Sequence, residues 1–395
     1  MAGQDHAWHG RRGGTGRPAA LLPWTERQGR GAMDKLVSIQ WLRGLAAIGV
    51  VWFHAMFLIT NNGLHSYQTE YGDIRQIGSI GVDVFFVISG FIVSISAANA
   101  VSVKAFVQNR LLRVWPLYAL ATLLFVLVSP GPVGLGDLLM SLALMQPVGP
   151  ASMSPTLPPG WTLLFEATFY AVVTAALLWR SRRSLAERIT LIVAGLVILG
   201  SAYGFARPFN VLSLNIIGNP ITLEFVLGVV IGRFWTRGYR LPSWGASALF
   251  AAGAFFILRD AMHGMSGEWL SGNTLDGTIS WERLRTWGVY SALIVASATL
   301  REPVPEGRGR FLAVLGDASY SIYLFHMHVQ DWLLHRLDLF GAMAADGIIL
   351  CATLVSVVVG VIAHYVLERP ILTAVKAWRS RQPVPTVRPE EHRIP

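Results

Sequence analysis

Charge is what this sequence has least of. Asp, Glu, Lys and Arg make up 14% of the 395 residues, while 53% are hydrophobic and the mean hydropathy is +0.48. A soluble domain of ordinary composition carries about 25% charged residues. The deficit runs along the whole chain, and the apolar residues fall in repeated runs near membrane-spanning length, which points to a polytopic membrane protein. A secreted enzyme, a dinucleotide-binding dehydrogenase and a nucleic-acid binder are excluded on that ground. The formal charge of +9 sits in loops between apolar runs, as positive-inside topology requires, and does not form a nucleic-acid patch. Cysteine is almost absent as well. Cys351 is the only one, so an internal disulfide and a thiolate metal cluster are both ruled out, and its apolar surroundings make it a small packing residue. No HExxH, Cys/His cluster or GxSxG elbow occurs, which leaves little for a metal site or a hydrolase triad. A cleavable signal peptide is also missing. The first apolar run has no A-x-A-like exit and reads as an uncleaved signal anchor.

What is present is a series of apolar runs. Ten spans are expected, at about 42–60, 80–98, 111–129, 161–179, 189–206, 218–236, 243–260, 285–300, 311–335 and 344–367. The fold class is therefore an all-α polytopic membrane protein. The stretch 137–146 is too short to cross and reads as a re-entrant or interfacial helix; the proline-rich QPVGPASMSPTLPPG after it cannot be a regular span. With the N-terminus in the cytoplasm, the inside segments hold 26 of the 32 Lys and Arg residues, so both termini are expected inside. Residues 1–32 are Gly-, Arg- and Pro-rich without periodicity, and read as a disordered basic extension or a mis-assigned start ahead of Met33. The transmembrane domain then covers 33–370, with a disordered cytoplasmic tail at 371–395.

Ionisable residues inside spans are costly and mark function by default. Arg43 and His54 in the first span are eleven residues apart, which puts them on one helical face about 16 Å apart along the axis. Arg43 alone fits a snorkelling anchor, and His54 alone fits a histidine bonded between helices. A neutral imidazole at depth can also take a proton from a hydroxyl, as acyl transfer to an alcohol requires. Asp83 opens the second span, where solvation or helix capping would account for it; Ser89-Gly90 is a small-residue site for close approach. Arg110 and Arg113 share a face at the cytoplasmic edge, suited to phosphate or simply to lipid headgroups, ahead of Pro116, which should kink the helix. Glu166, one turn before Tyr170, and Glu224 are carboxyls in hydrocarbon that want an Arg or His partner. Ser319, Tyr323 and His326 share a face of the ninth span, whereas His326 and His328 point apart and cannot chelate one metal. Trp161, Asp83, Ser89, Ser319, Tyr323 and His326 form the candidate substrate pocket. In LERP, Pro370 should stop the last span and leave Glu368 interfacial.

Taken together, SIQWLRGLAAIGVVWFHA, GVDVFFVISGF, the R-x-x-R of Arg110 and Arg113, WTLLFEATFY and SYSIYLFH resemble, in order and spacing, the acyltransferase-3 family of bacterial integral-membrane O-acyltransferases. The resemblance runs from about residue 36 to 370 and is nearest to exopolysaccharide-modifying members. It implies ten spans in the plasma membrane and transfer of an acyl group, usually acetyl from acetyl-CoA, to a hydroxyl of a cell-surface glycan or its lipid-linked precursor. It implies His54 as catalytic histidine with Arg43 as its partner, and Arg110 and Arg113 as contacts for the acyl-CoA donor; Glu166 joins the catalytic set. No bound cofactor, metal or nucleic acid is expected, while polysaccharide-assembly proteins are candidate partners. The residues alone leave open whether His54 is a base or an acyl carrier. Two other classes stand beside this reading: a transporter for lipid-linked sugars or drugs, and a non-catalytic partner in polysaccharide assembly. The first should show inverted repeats with paired broken helices, and no convincing repeat is found.

Overall fold

The computed structural model describes residues 37–63, 72–128, 131–145, 155–202, 214–263, 274–275, 277, 279–301, 310–341 and 343–381. The extension expected at 1–32 and the end of the tail lie outside them. Among the described residues the backbone is helical, with a single isolated bridge between Leu241 and Arg301 and no strand. The α-helices of eight residues or more are α1 (Val37–Asn61), α2 (Gly81–Ala98), α3 (Val103–Val128), the short α4 (Leu135–Leu142), α5 (Trp161–Leu178), α6 (Leu185–Ala202), α7 (Leu223–Thr236), α8 (Ser243–His263), α9 (Val289–Leu300), α10 (Arg310–Asp317), α11 (Ser319–Leu334), α12 (Ala345–Ala363) and α13 (Arg369–Ser380). Among the described residues six helical stretches are both long and apolar enough to cross a membrane: Gln76–Ala98, Val103–Val128, Pro158–Leu178, Leu185–Ala202, Ser243–Met262 and Ala345–Ser380. Helix α6 and helix α8 turn Leu191, Ile198, Leu199, Phe250, Phe255 and Leu258 outward, an apolar surface that belongs against lipid.

Without a hydrophobic force between helices in lipid, packing depends on close backbone approach. Helix α7 lies along α2, α11 on α12, α8 on α9, and both α10 and α11 on α1. The α2–α7 crossing requires glycine on both sides. A β-carbon at Gly90 would come within 2.0 Å of the Phe225 carbonyl oxygen, and one at Gly228 within 2.0 Å of that of Val87. The small-residue site at Ser89-Gly90 is thus where α7 docks. Aromatic rings fill the same seam, with Phe225 between Phe86 and Phe169 at centroid distances of 4.7 and 4.6 Å.

The helix ends depart from the sequence expectation in two places. Pro370 does not stop the last helix: a wide turn at His364–Glu368 is followed by α13, with Pro370 in its first turn. There a missing N–H costs little, because the preceding wide turn has already interrupted the ladder. The helix therefore runs on through Ser380, where a disordered tail was expected from 371. Arg110 and Arg113 lie within α3, seven and ten residues past its first residue, and that helix continues through Pro116.

Candidate active site

Six helical elements enclose a cavity of about 130 Å³. Helix α1 supplies Arg43; α2 supplies Val82, Phe85, Phe86 and Ser89; α3 supplies Arg110 and Arg113. Helix α5 adds Thr162, Glu166 and Tyr170, α11 adds Ser319, Tyr320 and Tyr323, and the turn before α13 adds Glu368. Of the residues singled out in the sequence, Arg43, Ser89, Arg110, Arg113, Glu166, Ser319 and Tyr323 meet here. His54, Asp83, Trp161 and His326 are not in the lining.

The charged end of the cavity holds three guanidinium groups and two carboxylates. Arg113 is exposed and has no hydrogen-bond partner among the described residues, whereas Arg110 is buried, with Nη2 donating to Ser96 Oγ and Nε unpartnered. Arg43 Nη1 donates to Gln40 Oε1 at 3.1 Å. The carboxylates are occupied by other groups. Glu166 Oε1 accepts from Ser89 Oγ at 3.1 Å and from Tyr170 OH at 2.5 Å. Glu368 Oε2 accepts from Ser321 Oγ at 2.6 Å and His364 Nδ1 at 2.8 Å. One positive charge is left uncompensated, and the arginines are not tied down by the acids beside them, so the cavity favours an anion. Its volume is well below the roughly 300 Å³ at which drug-sized ligand pockets begin. A space of that size has room for a small group or for one end of a longer molecule.

Thr162 and Tyr323, also in the lining, form a hydroxyl network with the segment before α5. Tyr323 OH lies 2.9 Å from Thr162 Oγ1 and donates to the Pro159 carbonyl at 3.1 Å. Behind Tyr323, one turn further along α11, His326 is fully buried, and its ring lies 4.9 Å from that of His54 on α1. His54 Nδ1 sits 2.9 Å from the Val50 carbonyl and His326 Nδ1 sits 2.7 Å from the Tyr323 carbonyl. A carbonyl oxygen only accepts, so each Nδ1 carries the hydrogen, and in the neutral ring each Nε2 is a bare lone pair. His326 Nε2 is buried with no partner among the described residues. His54 and Arg43 thus share a face of α1, but only Arg43 reaches the cavity; His54 is joined to it through His326 and Tyr323.

Asp83 is neither solvated nor a cap. It is buried beside the cavity, where Arg283 Nε and Nη2 each donate to one of its oxygens at 2.8 Å, with the guanidinium 5.9 Å from the Trp161 ring and 5.6 Å from that of Trp287. Trp161 itself packs edge-on against Phe86 and Phe165. Glu224 is buried with neither carboxyl oxygen hydrogen-bonded among the described residues. His328 turns away from His326 and meets the Ala121 carbonyl at 2.9 Å. Three residues that the sequence reading passed over belong to this region. Tyr320 lies inside the SYSIYLFH run and could have been found there. Glu368 was set aside because of Pro370, and Arg283 carries no local signal, since its partner is 200 residues away.

The model of a family described as an acyltransferase domain matches residues 36–366. The chain is 33% identical over 323 residues to the exopolysaccharide production protein ExoZ of Rhizobium meliloti (strain 1021), covering 77% of this chain and 92% of that protein. It is 27% identical to the acyltransferase MdmB of Streptomyces mycarofaciens, over 89% of this chain and 95% of the relative. Nodulation protein 10 of Rhizobium leguminosarum bv. viciae is 27% identical over 64% of this chain and 72% of its own. No solved structure matches the chain.

Proposed function

This chain belongs to the acyltransferase family that the matching domain describes, and from that premise we propose that it transfers an acetyl group from acetyl-CoA to a hydroxyl of an exopolysaccharide or its lipid-linked precursor. It is a multi-pass membrane protein and a non-aminoacyl acyltransferase; the donor, the acceptor and the residue roles are our reading. The observation that carries this reading is the cavity in which three guanidinium groups, Arg43, Arg110 and Arg113, outnumber the two carboxylates, Glu166 and Glu368, in a lining that is otherwise apolar or hydroxyl-bearing. The phosphates of the donor rest on Arg110 and Arg113, and the thioester end enters the cavity past Arg43. Beyond Tyr323, His54 presents a bare Nε2 as the base for the acceptor hydroxyl. The similarity to a protein named for exopolysaccharide production favours a glycan acceptor. In this reading all ten predicted spans cross the bacterial plasma membrane, both termini are cytoplasmic, and the donor enters from the inner face.

The test is a strain in which the chromosomal copy is replaced by His54→Ala. NMR of the surface polysaccharide should show loss of O-acetyl signals while the membrane level of the protein stays the same. Unchanged O-acetylation in that strain would remove His54 from the reaction, and unchanged O-acetylation in a full deletion would remove the glycan.

A further inference from the structure

His326 is a buried polar group that the proposed reaction does not yet use. Its Nε2 has no donor in a fully buried position, a state that native proteins seldom tolerate without a reason. The neighbouring ring that faces it is His54, 4.9 Å away between centroids at an interplanar angle of 53°. In the neutral resting state these two imidazoles have nothing to offer one another. Both Nδ1–H groups are committed to backbone carbonyls, and both Nε2 atoms are acceptors. The relation changes when His54 gains a proton. The new N–H of the imidazolium then has an unpartnered lone pair to meet on the neighbouring ring, whose centroid is 4.9 Å away. Among the described residues no carboxylate is hydrogen-bonded to either ring to meet that charge.

We propose that His326 is a positioning residue for acyl transfer, accepting at Nε2 a hydrogen bond that exists only while His54 is protonated. The inference rests on the proposed role of His54 as base. In the step itself the acceptor O–H bond breaks and its proton passes to His54 Nε2. The hydroxyl oxygen forms a bond to the thioester carbonyl carbon, the C–S bond breaks, and the proton moves from His54 to the leaving sulfur to give free thiol. His326 gains and loses no proton; it stabilises the charged interval between the two transfers. An interaction present only in that interval raises turnover and leaves substrate binding alone. The backbone bond from Nδ1 to the Tyr323 carbonyl holds the lone pair in direction, so the acceptor is set before the charge arrives.

The experiment compares His326→Gln and His326→Leu with His54→Ala, as full-length protein in lipid nanodiscs with labelled acetyl-CoA and polysaccharide from the producing cells. Glutamine places an acceptor oxygen near the position of Nε2; leucine fills the space with none. Losing a hydrogen bond to a charged group predicts a fall in kcat of roughly ten- to a hundredfold for the leucine variant, with KM for acetyl-CoA and the thermal midpoint unchanged. The glutamine variant should recover most of that loss. Full turnover in His326→Leu beside an inactive His54→Ala would overturn this inference alone, and so would a loss that falls in KM or one that glutamine fails to rescue. An active His54→Ala would overturn the reading on which it rests.

Discussion

Removing the carboxylate of Asp83 tests whether the ion pair beside the cavity holds the helices together. Asp83 and Arg283 are 0% and 1% exposed at their side chains, and two parallel bonds of 2.8 Å join them. Arg283 also reaches the Ser79 carbonyl, just ahead of α2, and Thr274 Oγ1, both at 3.4 Å. Replacing such a pair with apolar residues of matching shape is often close to neutral, whereas removing one partner leaves an uncompensated buried charge and costs about 3–5 kcal/mol. Asp83→Ala and Arg283→Met should therefore each lower the thermal midpoint of the detergent-solubilised protein sharply. The double variant should melt above Asp83→Ala, because the orphaned guanidinium is gone. Glu224→Gln, at a carboxyl that accepts no hydrogen bond among the described residues, should melt within a degree or two of the parent. Size-exclusion chromatography after graded heating reads all four. Single variants as stable as the parent, or a double variant whose loss equals the sum of the singles, would refute this account of the pair.

The sequence carries local information well and distant pairing poorly, and the site shows both. The apolar runs locate most of the helices to within a few residues because hydropathy and the 3.6-residue period act along one segment, but α3 begins eight residues ahead of the run at 111–129 and the run at 311–335 is divided into α10 and α11. Arg43 and Glu166 stood out because a charged group in an apolar span is conspicuous on its own, and Arg110 and Arg113 because a spacing of three puts both on one helical face; all four line one cavity. Asp83 was misjudged for the opposite reason. Its position at a helix start looked solvated, and the guanidinium that buries it comes from Arg283, far along the chain. Pro370 misled through a rule that holds in regular helices. A turn with one extra residue at His364–Glu368 swings Glu368 round by about 100° relative to a continuous helix, toward the arginines and away from the interface. The approach of His326 to His54 likewise depends on how α11 crosses α1, which neither helix encodes by spacing.

Two further predictions follow from the charged end of the cavity. Arg110→Gln and Arg113→Gln should each raise KM for acetyl-CoA roughly ten- to a hundredfold, the value of one charged hydrogen bond, and an unchanged KM in the double variant would return both residues to lipid headgroups. Glu368→Gln should act in the other direction. The carboxylate faces the same cavity as Arg43, Arg110 and Arg113, so it opposes any anion that the arginines attract. At an effective permittivity of about 20, a unit charge ~10 Å from a phosphate contributes about 1.7 kcal/mol, or roughly fifteenfold in affinity. Glutamine keeps an oxygen to accept from Ser321 Oγ and His364 Nδ1, which now meet Glu368 Oε2 at 2.6 and 2.8 Å, so the turn before α13 should survive. Free CoA should then inhibit Glu368→Gln at lower concentration than the parent, and KM for acetyl-CoA should fall. Turnover need not rise with it, because tighter binding of donor and product alike leaves the barrier from the bound state unchanged. Titration of CoA against labelled acetyl-CoA separates the two effects. Weaker donor binding in Glu368→Gln, at an unchanged thermal midpoint, would mean that this carboxylate contacts the donor as an acceptor, and the cavity's excess positive charge would no longer explain its preference for an anion.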